Sequence, residues 1–137
     1  MPGDWGVLYV GEPPPGVTAA DRLTVERVQS RAAALDHLDG DPADCVVIDQ
    51  TLPGEVTGVE LLATVRERYP ALPVVLTTVE PDGRVASEAT REGVSEYVAR
   101  ETGVDLATRI EAVIDRAREV SDAGLPPLAE TEPTGAV

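Results

Sequence analysis

Five short apolar segments recur along the chain, and polar or helix-spaced stretches separate them. They are GVLYV (6–10), LTVERV (23–28), CVVID (45–49), PVVLTT (73–78) and VSEYVA (94–99). The first, third and fourth are apolar almost throughout, which is typical of strands buried on both faces of a sheet. LTVERV alternates between apolar and polar residues, so it favours an edge strand.

The stretches between these segments have helical spacing. One amphipathic helix is predicted over 58–69, with an apolar face made of Val59, Leu62, Val65 and Tyr69. Another is predicted over 105–120, with an inward face made of Leu106, Ile110, Val113, Ala117 and Val120. Two shorter helices are predicted to end at Gly40 and Gly93, because glycine commonly follows the last helical turn. The prolines of EPPPGVTAADR leave room for only a turn or two of helix.

Strand alternating with helix five times predicts parallel βαβ units with right-handed crossovers. We therefore expect one α/β domain over residues 1–120: a doubly wound, five-stranded parallel sheet with helices on both faces. The final segment, 121–137, is rich in proline, glycine and acidic residues and has no periodicity. We expect it to be a disordered tail.

The charge of the chain narrows its possible partners. There are 25 acidic residues against 11 basic ones, all of them arginine, and the net charge is -14. An electrostatic field this negative repels nucleic acids and anionic lipids. We therefore expect neither as a partner. The single cysteine, Cys45, has no disulfide partner, and no signal peptide or membrane span is recognisable, so a cytoplasmic location is expected. High acidity without lysine is typical of a salt-adapted cell.

Asp49 ends an apolar strand directly before a turn, in CVVIDQTLPG. The simplest interpretation is that it starts the turn, as aspartate often does. However, the carboxyl ends of the other strands carry Glu12, Thr78 and Arg100, and in a parallel sheet these ends meet at one edge. Paired carboxylates suit Mg²⁺, a hydroxyl and a guanidinium suit a phosphoryl group, and a carboxylate can itself attack phosphorus. The edge is therefore a candidate phosphoryl site.

Three stretches in order, CVVIDQTLPG, GVELLATVRERYPALPVVLTT and REGVSEYVAR, resemble a response-regulator receiver domain, the haloarchaeal ones in particular. The resemblance covers residues 6 to 118. It implies a flavodoxin-like sheet with strand order 2-1-3-4-5. It also implies a two-component signalling protein that is phosphorylated by a histidine kinase and signals by protein contact or phosphorelay. A turnover enzyme is not expected, because the sequence has no Gly-rich phosphate loop, no metal-ligand histidine cluster and no nucleophile–base pair.

The resemblance also assigns roles to individual residues. Asp49 matches the phosphoacceptor. Glu12, Asp49 and the backbone carbonyl of Thr51 match the ligands of a Mg²⁺ cofactor. Thr78, Tyr97 and Arg100 match the residues that contact the phosphoryl group or change conformation with it.

Several positions depart from the family pattern. Gly11 replaces the first of two acids, which should weaken Mg²⁺ binding, and a carboxylate restored there would be expected to tighten it. Arg100 stands where a lysine is usual, Glu101 replaces a proline, and Val79 replaces a small residue. These departures support an alternative function: a phosphorylation-independent module that binds protein through the same fold.

Overall fold

A computed structural model describes residues 5–52, 56–100 and 105–122, and the side chains of 120–122 are not described. The strands are β1 (Trp5–Val10), β2 (Leu23–Val28), β3 (Cys45–Asp49), β4 (Val74–Thr78) and β5 (Glu96–Ala99). The helices are α1 (Pro15–Thr18), α2 (Arg31–Gly40), α3 (Gly58–Arg68), α4 (Gly83–Arg91) and α5 (Leu106–Asp122). Each predicted strand is present, with bounds shifted by two residues at most.

The strands form one five-stranded sheet in the order β2-β1-β3-β4-β5, and every neighbouring pair is parallel. The predicted fold class and the edge position of β2 are confirmed. α5 continues to Asp122, two residues into the predicted tail, and the rest of that tail lies outside the described residues. Among the described residues, no helix combines the length and apolar character needed to cross a bilayer.

Alternation along the buried strands sends side chains to two apolar layers, one on each face of the sheet. On one face α1 and α5 pack on residues such as Tyr9, Val47 and Val75. On the other face α2, α3 and α4 pack on residues such as Leu8 and Ile48. Helices on both faces are therefore confirmed. Tyr9 belongs to the α1/α5 face, which is also the face of Asp49 by strand alternation.

The helix faces differ in part from the predicted ones. In α3 the buried side chains include Leu61, which the predicted face left out, whereas Val59 and Tyr69 lie at its partly buried margin. In α5 Ala107 and Ile114 are buried in addition to three predicted residues, and Ala117 is partly exposed. The side chain of Val120 is outside the described set. Both helices lie against a broad sheet, so each buries a wider stripe than a single apolar row.

The helix ends follow local capping chemistry. The Thr57 side chain accepts from the N–H of Glu60, whose own side chain accepts from the N–H of Thr57, forming a capping box at the start of α3. Gly93 follows α4 with φ of 87°, as predicted for a glycine that ends a helix. The second helix, α2, ends at Gly40 as predicted, but Gly40 is its last helical residue and an extended Asp41 is the cap.

Candidate functional site

The candidate site lies at the carboxyl edge of the sheet. Asp49 is the last residue of β3, and its register partner on β4 is Thr77. Arg100 directly follows β5, and its N–H donates to the carbonyl of Thr78 at 2.7 Å. Glu12 follows β1 after Gly11. The parallel topology therefore brings the ends of four strands together, as the sequence predicted.

Both carboxylate oxygens of Asp49 accept hydrogen bonds from β1 and the turn after it. The hydroxyl of Tyr9 donates to Oδ1 at 2.7 Å. The backbone N–H of Glu12 donates to Oδ2 at 2.9 Å. Asp49 is only 9% exposed, so these two donors replace much of the water that would solvate a free carboxylate. The candidate acceptor is thus held in place by its own chain.

Gly11 makes this arrangement sterically possible. It has φ of 128°, a region that side-chain-bearing residues rarely adopt. A Cβ atom there would lie 2.3 Å from Oδ2 and 2.6 Å from Cγ of Asp49. An aspartate at position 11 would therefore displace Asp49 instead of joining it. This geometry argues against the sequence-based expectation that an acid at position 11 tightens Mg²⁺ binding.

Arg100 is linked to Asp49 by hydrogen bonds through the Tyr9 hydroxyl. Its Nη1 donates to the Tyr9 hydroxyl at 3.2 Å and to the backbone carbonyl of Glu12 at 3.3 Å. Its Nε is buried and has no hydrogen-bond partner among the described residues. The guanidinium is therefore one hydroxyl group away from the candidate acceptor and retains an unused donor.

Tyr9 remains a neutral donor in this environment. Its side chain is fully buried on β1. Burial, and after it the hydrogen bond to Asp49, raises the pKa of Tyr9 well above its ordinary value, because ionisation would place a second anion beside Asp49. Arg100 opposes this shift through its charge but does not reverse it.

One of the predicted Mg²⁺ ligands, the Glu12 carboxylate, binds other side chains in this structure. The Glu12 carboxylate is largely exposed and accepts hydrogen bonds from Arg27 and Gln29. Thr51 is exposed after β3. In the part of the chain that the structure describes, no three His, Cys, Asp or Glu side chains are grouped so that they could hold a metal ion. Glu12 would have to release Arg27 and Gln29 before it could bind a metal ion, so the Mg²⁺ cofactor stays a prediction.

Thr78 and Tyr97 contact the loop between β4 and α4. The Thr78 hydroxyl accepts from the N–H of Glu80 at 3.1 Å. The Tyr97 hydroxyl accepts from the N–H of Asp82 at 3.3 Å, and the Asp82 side chain caps α4. Val79, which lies between Thr78 and Glu80, is 62% exposed. The structure thus brings Asp49, the Glu12 backbone and Arg100 together and ties Thr78 and Tyr97 to the start of α4.

Sequence reasoning missed Tyr9, which it treated as part of an apolar strand. A signal was present, because a buried phenol needs a hydrogen-bond partner. Tyr9 also lies two residues before Gly11, on the same face of β1, and pairs with Val47 two residues before Asp49.

The five-stranded parallel sheet in the order β2-β1-β3-β4-β5, with helices on both faces, is the fold of a receiver-type α/β domain. Residues 17–111 match the family described as the response regulator receiver domain. The chain belongs to this family, and it is a two-component signalling receiver. The expectation from the three sequence stretches is confirmed at this level.

Curated relatives and solved structures agree with this assignment. The chain is 30% identical over 95 residues to the DNA-binding transcriptional regulator NtrC of Klebsiella pneumoniae, a match that covers 69% of this chain and 19% of that protein. It is 38% identical over 73 residues to the response regulator protein FleR of Pseudomonas aeruginosa, covering 53% of this chain and 15% of that protein. Each match therefore covers less than a fifth of the length of the relative.

Two solved structures show the same fold. NtrX from Brucella abortus superposes with a TM-score of 0.74 at 20% identity, covering 91% of this chain and 32% of that one. A response regulator receiver domain from Clostridium thermocellum superposes with a TM-score of 0.70 at 21% identity, covering 85% of this chain and 98% of that one.

Proposed function

We propose that this receiver accepts a phosphoryl group on Asp49 from a histidine kinase and signals by contact with another protein. Receivers of response regulators act with histidine kinases, and the family match supports such a partner here. The observation that carries the proposal is the position of Asp49, a 9%-exposed carboxylate at the end of β3 whose hydrogen-bonded neighbour, Tyr9, also binds the Arg100 guanidinium.

The chemistry needs one new bond and one broken bond. A carboxylate oxygen of Asp49 attacks the phosphorus of the donor, an acyl phosphate is formed, and the donor's bond to phosphorus breaks. The electron pair of that bond leaves with the donor, which is an imidazole for phosphohistidine and acetate for acetyl phosphate. Arg100 supplies positive charge beside the added oxygens. The protein is a substrate of phosphorylation in this proposal and not a turnover enzyme.

The test is intact mass after incubation with acetyl phosphate and with a panel of histidine kinases. Wild type should gain one phosphoryl mass, and Asp49→Asn should gain none. Asp44→Asn is the matched control, because Asp44 precedes the opposite end of β3 and holds the N–H of Gly6 at 2.8 Å, a bond that asparagine can keep. A mass gain that persists in Asp49→Asn would identify a different nucleophile.

One observation favours a second function, a phosphorylation-independent protein-binding module. Tyr9 and the Glu12 backbone already satisfy both oxygens of Asp49, and Gly11 replaces an acid. Such a module would gain no mass with any donor, and its protein partner would bind Asp49→Asn as tightly as wild type. Phosphorylation-dependent binding would exclude it.

A further inference from the structure

Three side chains from three strand ends form a continuous hydrogen-bonded chain. Asp49 Oδ1 accepts from the Tyr9 hydroxyl at 2.7 Å, and that hydroxyl accepts from Arg100 Nη1 at 3.2 Å. Tyr9 and Asp49 are 40 residues apart in sequence, and Tyr9 and Arg100 are 91 apart. The phenol therefore lies between the candidate acceptor and the cation that would stabilise a phosphoryl group.

This position makes the phenol a competitor of an incoming phosphoryl group. Attack on phosphorus uses a carboxylate lone pair, and a hydrogen bond to a charged group lowers the availability of that pair. The Tyr9 hydroxyl takes up Oδ1, and the backbone N–H of Glu12 takes up Oδ2. The ring of Tyr9 is fully buried, but its hydroxyl hydrogen can turn away from Oδ1 by rotation about the Cζ–O bond, whereas the backbone donor is fixed by the turn at Gly11.

We propose that the Tyr9–Asp49 hydrogen bond is autoinhibitory: it keeps Asp49 unreactive in the resting receiver, and the Tyr9 hydroxyl must leave Oδ1 before phosphorylation. The inference rests on the proposed function of Asp49. It adds a residue of β1 to the site and sets the basal rate of phosphorylation by small donors.

Two further buried donors are unpaired in the resting state, within the part of the chain that the structure describes. Arg100 Nε and the Thr77 hydroxyl are both buried without a partner among the described residues. Thr77 is the register partner of Asp49, and paired residues on neighbouring strands project to the same face. Buried donors without acceptors are costly, and oxygens of a phosphoryl group on Asp49 would satisfy them. The site thus favours the phosphorylated state after the phenol has left.

The first experiment measures the initial rate of mass gain with acetyl phosphate for wild type and Tyr9→Phe. Phenylalanine keeps the ring and removes the donor. A hydrogen bond to a charged group is worth enough to change a rate by roughly tenfold or more, so Tyr9→Phe should be faster by about that factor. Tyr69→Phe is the matched control, because Tyr69 donates to a carboxylate of Asp39 away from the site, and its rate should equal that of wild type.

The second experiment does not require phosphorylation. A water-soluble carbodiimide with glycine ethyl ester labels available carboxylates, and peptide mapping reports Asp49 alone. Asp49 should be labelled several-fold faster in Tyr9→Phe than in wild type or Tyr69→Phe. If Tyr9→Phe does not fold, wild type still gives an answer by NMR: the exchange-protected Tyr9 hydroxyl proton should disappear on phosphorylation, and its persistence would overturn the inference.

The outcomes separate the inference from the proposed function. Equal or slower mass gain in Tyr9→Phe than in wild type would overturn the autoinhibitory role and leave Asp49 as the acceptor. No mass gain in either protein would exclude the phosphoacceptor function and, with it, autoinhibition of phosphorylation; faster labelling of Asp49 in Tyr9→Phe would then show only that the phenol shields the carboxylate. No mass gain and unchanged labelling would exclude both.

Discussion

Gly11 and Asp49 approach so closely that position 11 has no room for a side chain: a Cβ there would lie 2.3 Å from Oδ2 of Asp49. The absence of a side chain lets the chain turn after β1 and present the N–H of Glu12 to the same oxygen at 2.9 Å. Glycine at position 11, where the family usually has an acid, therefore leaves the space that the buried Asp49 side chain occupies. The carboxylate is stabilised by hydrogen bonds where a second acid would have repelled it.

Gly11→Ala should destabilise the protein by roughly 2 kcal/mol or more, because it combines backbone strain with overlap on Asp49. Urea unfolding monitored by circular dichroism measures this loss. Gly83→Ala is the matched control, since a Cβ on Gly83 at the start of α4 meets nothing within 4 Å. That variant should be neutral or more stable by up to about 1 kcal/mol. Equal stabilities of the two variants would contradict the close approach.

Arg100→Ala should leave Asp49 able to gain a phosphoryl group but should uncouple that event from Thr78 and Tyr97. The guanidinium is linked to Asp49 through the Tyr9 hydroxyl, and a charged hydrogen bond to phosphate shifts an equilibrium by about tenfold or more. NMR shifts of Thr78 and Tyr97 on phosphorylation measure the coupling. Arg68→Ala, which removes an exposed partner of Asp39, should keep the shifts of wild type. Unchanged shifts in Arg100→Ala would rule out this role.

Stability should fall steadily above pH 9. Burial raises the pKa of Cys45 from 9.0 to about 12, and burial with the Asp49 hydrogen bond raises the pKa of Tyr9 from 10.0. The unfolded chain loses these protons first, so it binds fewer protons than the folded protein and unfolding becomes easier as pH rises. Each group adds a slope of about 1.4 kcal/mol per pH unit.

Urea midpoints between pH 8 and pH 11 test this expectation. Cys45→Ala should remove the slope between pH 9 and pH 10, and Tyr9→Phe should reduce the additional slope above pH 10, to which Tyr69 also contributes because its hydrogen bond to Asp39 raises its pKa. A midpoint that stays constant up to pH 11 would contradict the burial of both groups in a protonated form.

The net charge of -14 should make the fold sensitive to salt. Screening shortens the reach of charge from about 30 Å at 0.01 M salt to about 3 Å at 1 M, so self-repulsion is strongest in dilute buffer. Melting temperatures should rise between these concentrations for both KCl and choline chloride, because screening does not depend on the cation. Melting curves that do not change with salt would remove the sequence-based inference of a salt-adapted protein.

The sequence by itself determined the architecture. Apolar runs of strand length alternate with helical periodicity, and this order leaves a parallel sheet as the consistent solution. The rule that parallel strands end at one edge then placed Asp49, Thr78 and Arg100 near each other. These predictions depend on local hydrophobic patterns and on the order of strands and helices, and both can be read from the sequence.

The tertiary structure decided which groups touch. The sequence indicates only that Tyr9 is a strand residue, and Asp49, which accepts its hydrogen bond, lies 40 residues away. Glu12 matches a metal ligand by position, yet its carboxylate bonds to Arg27 and Gln29 and its backbone bonds to Asp49. Such choices depend on rotamers and on competing partners brought in by distant strands, and no periodicity along the chain records them.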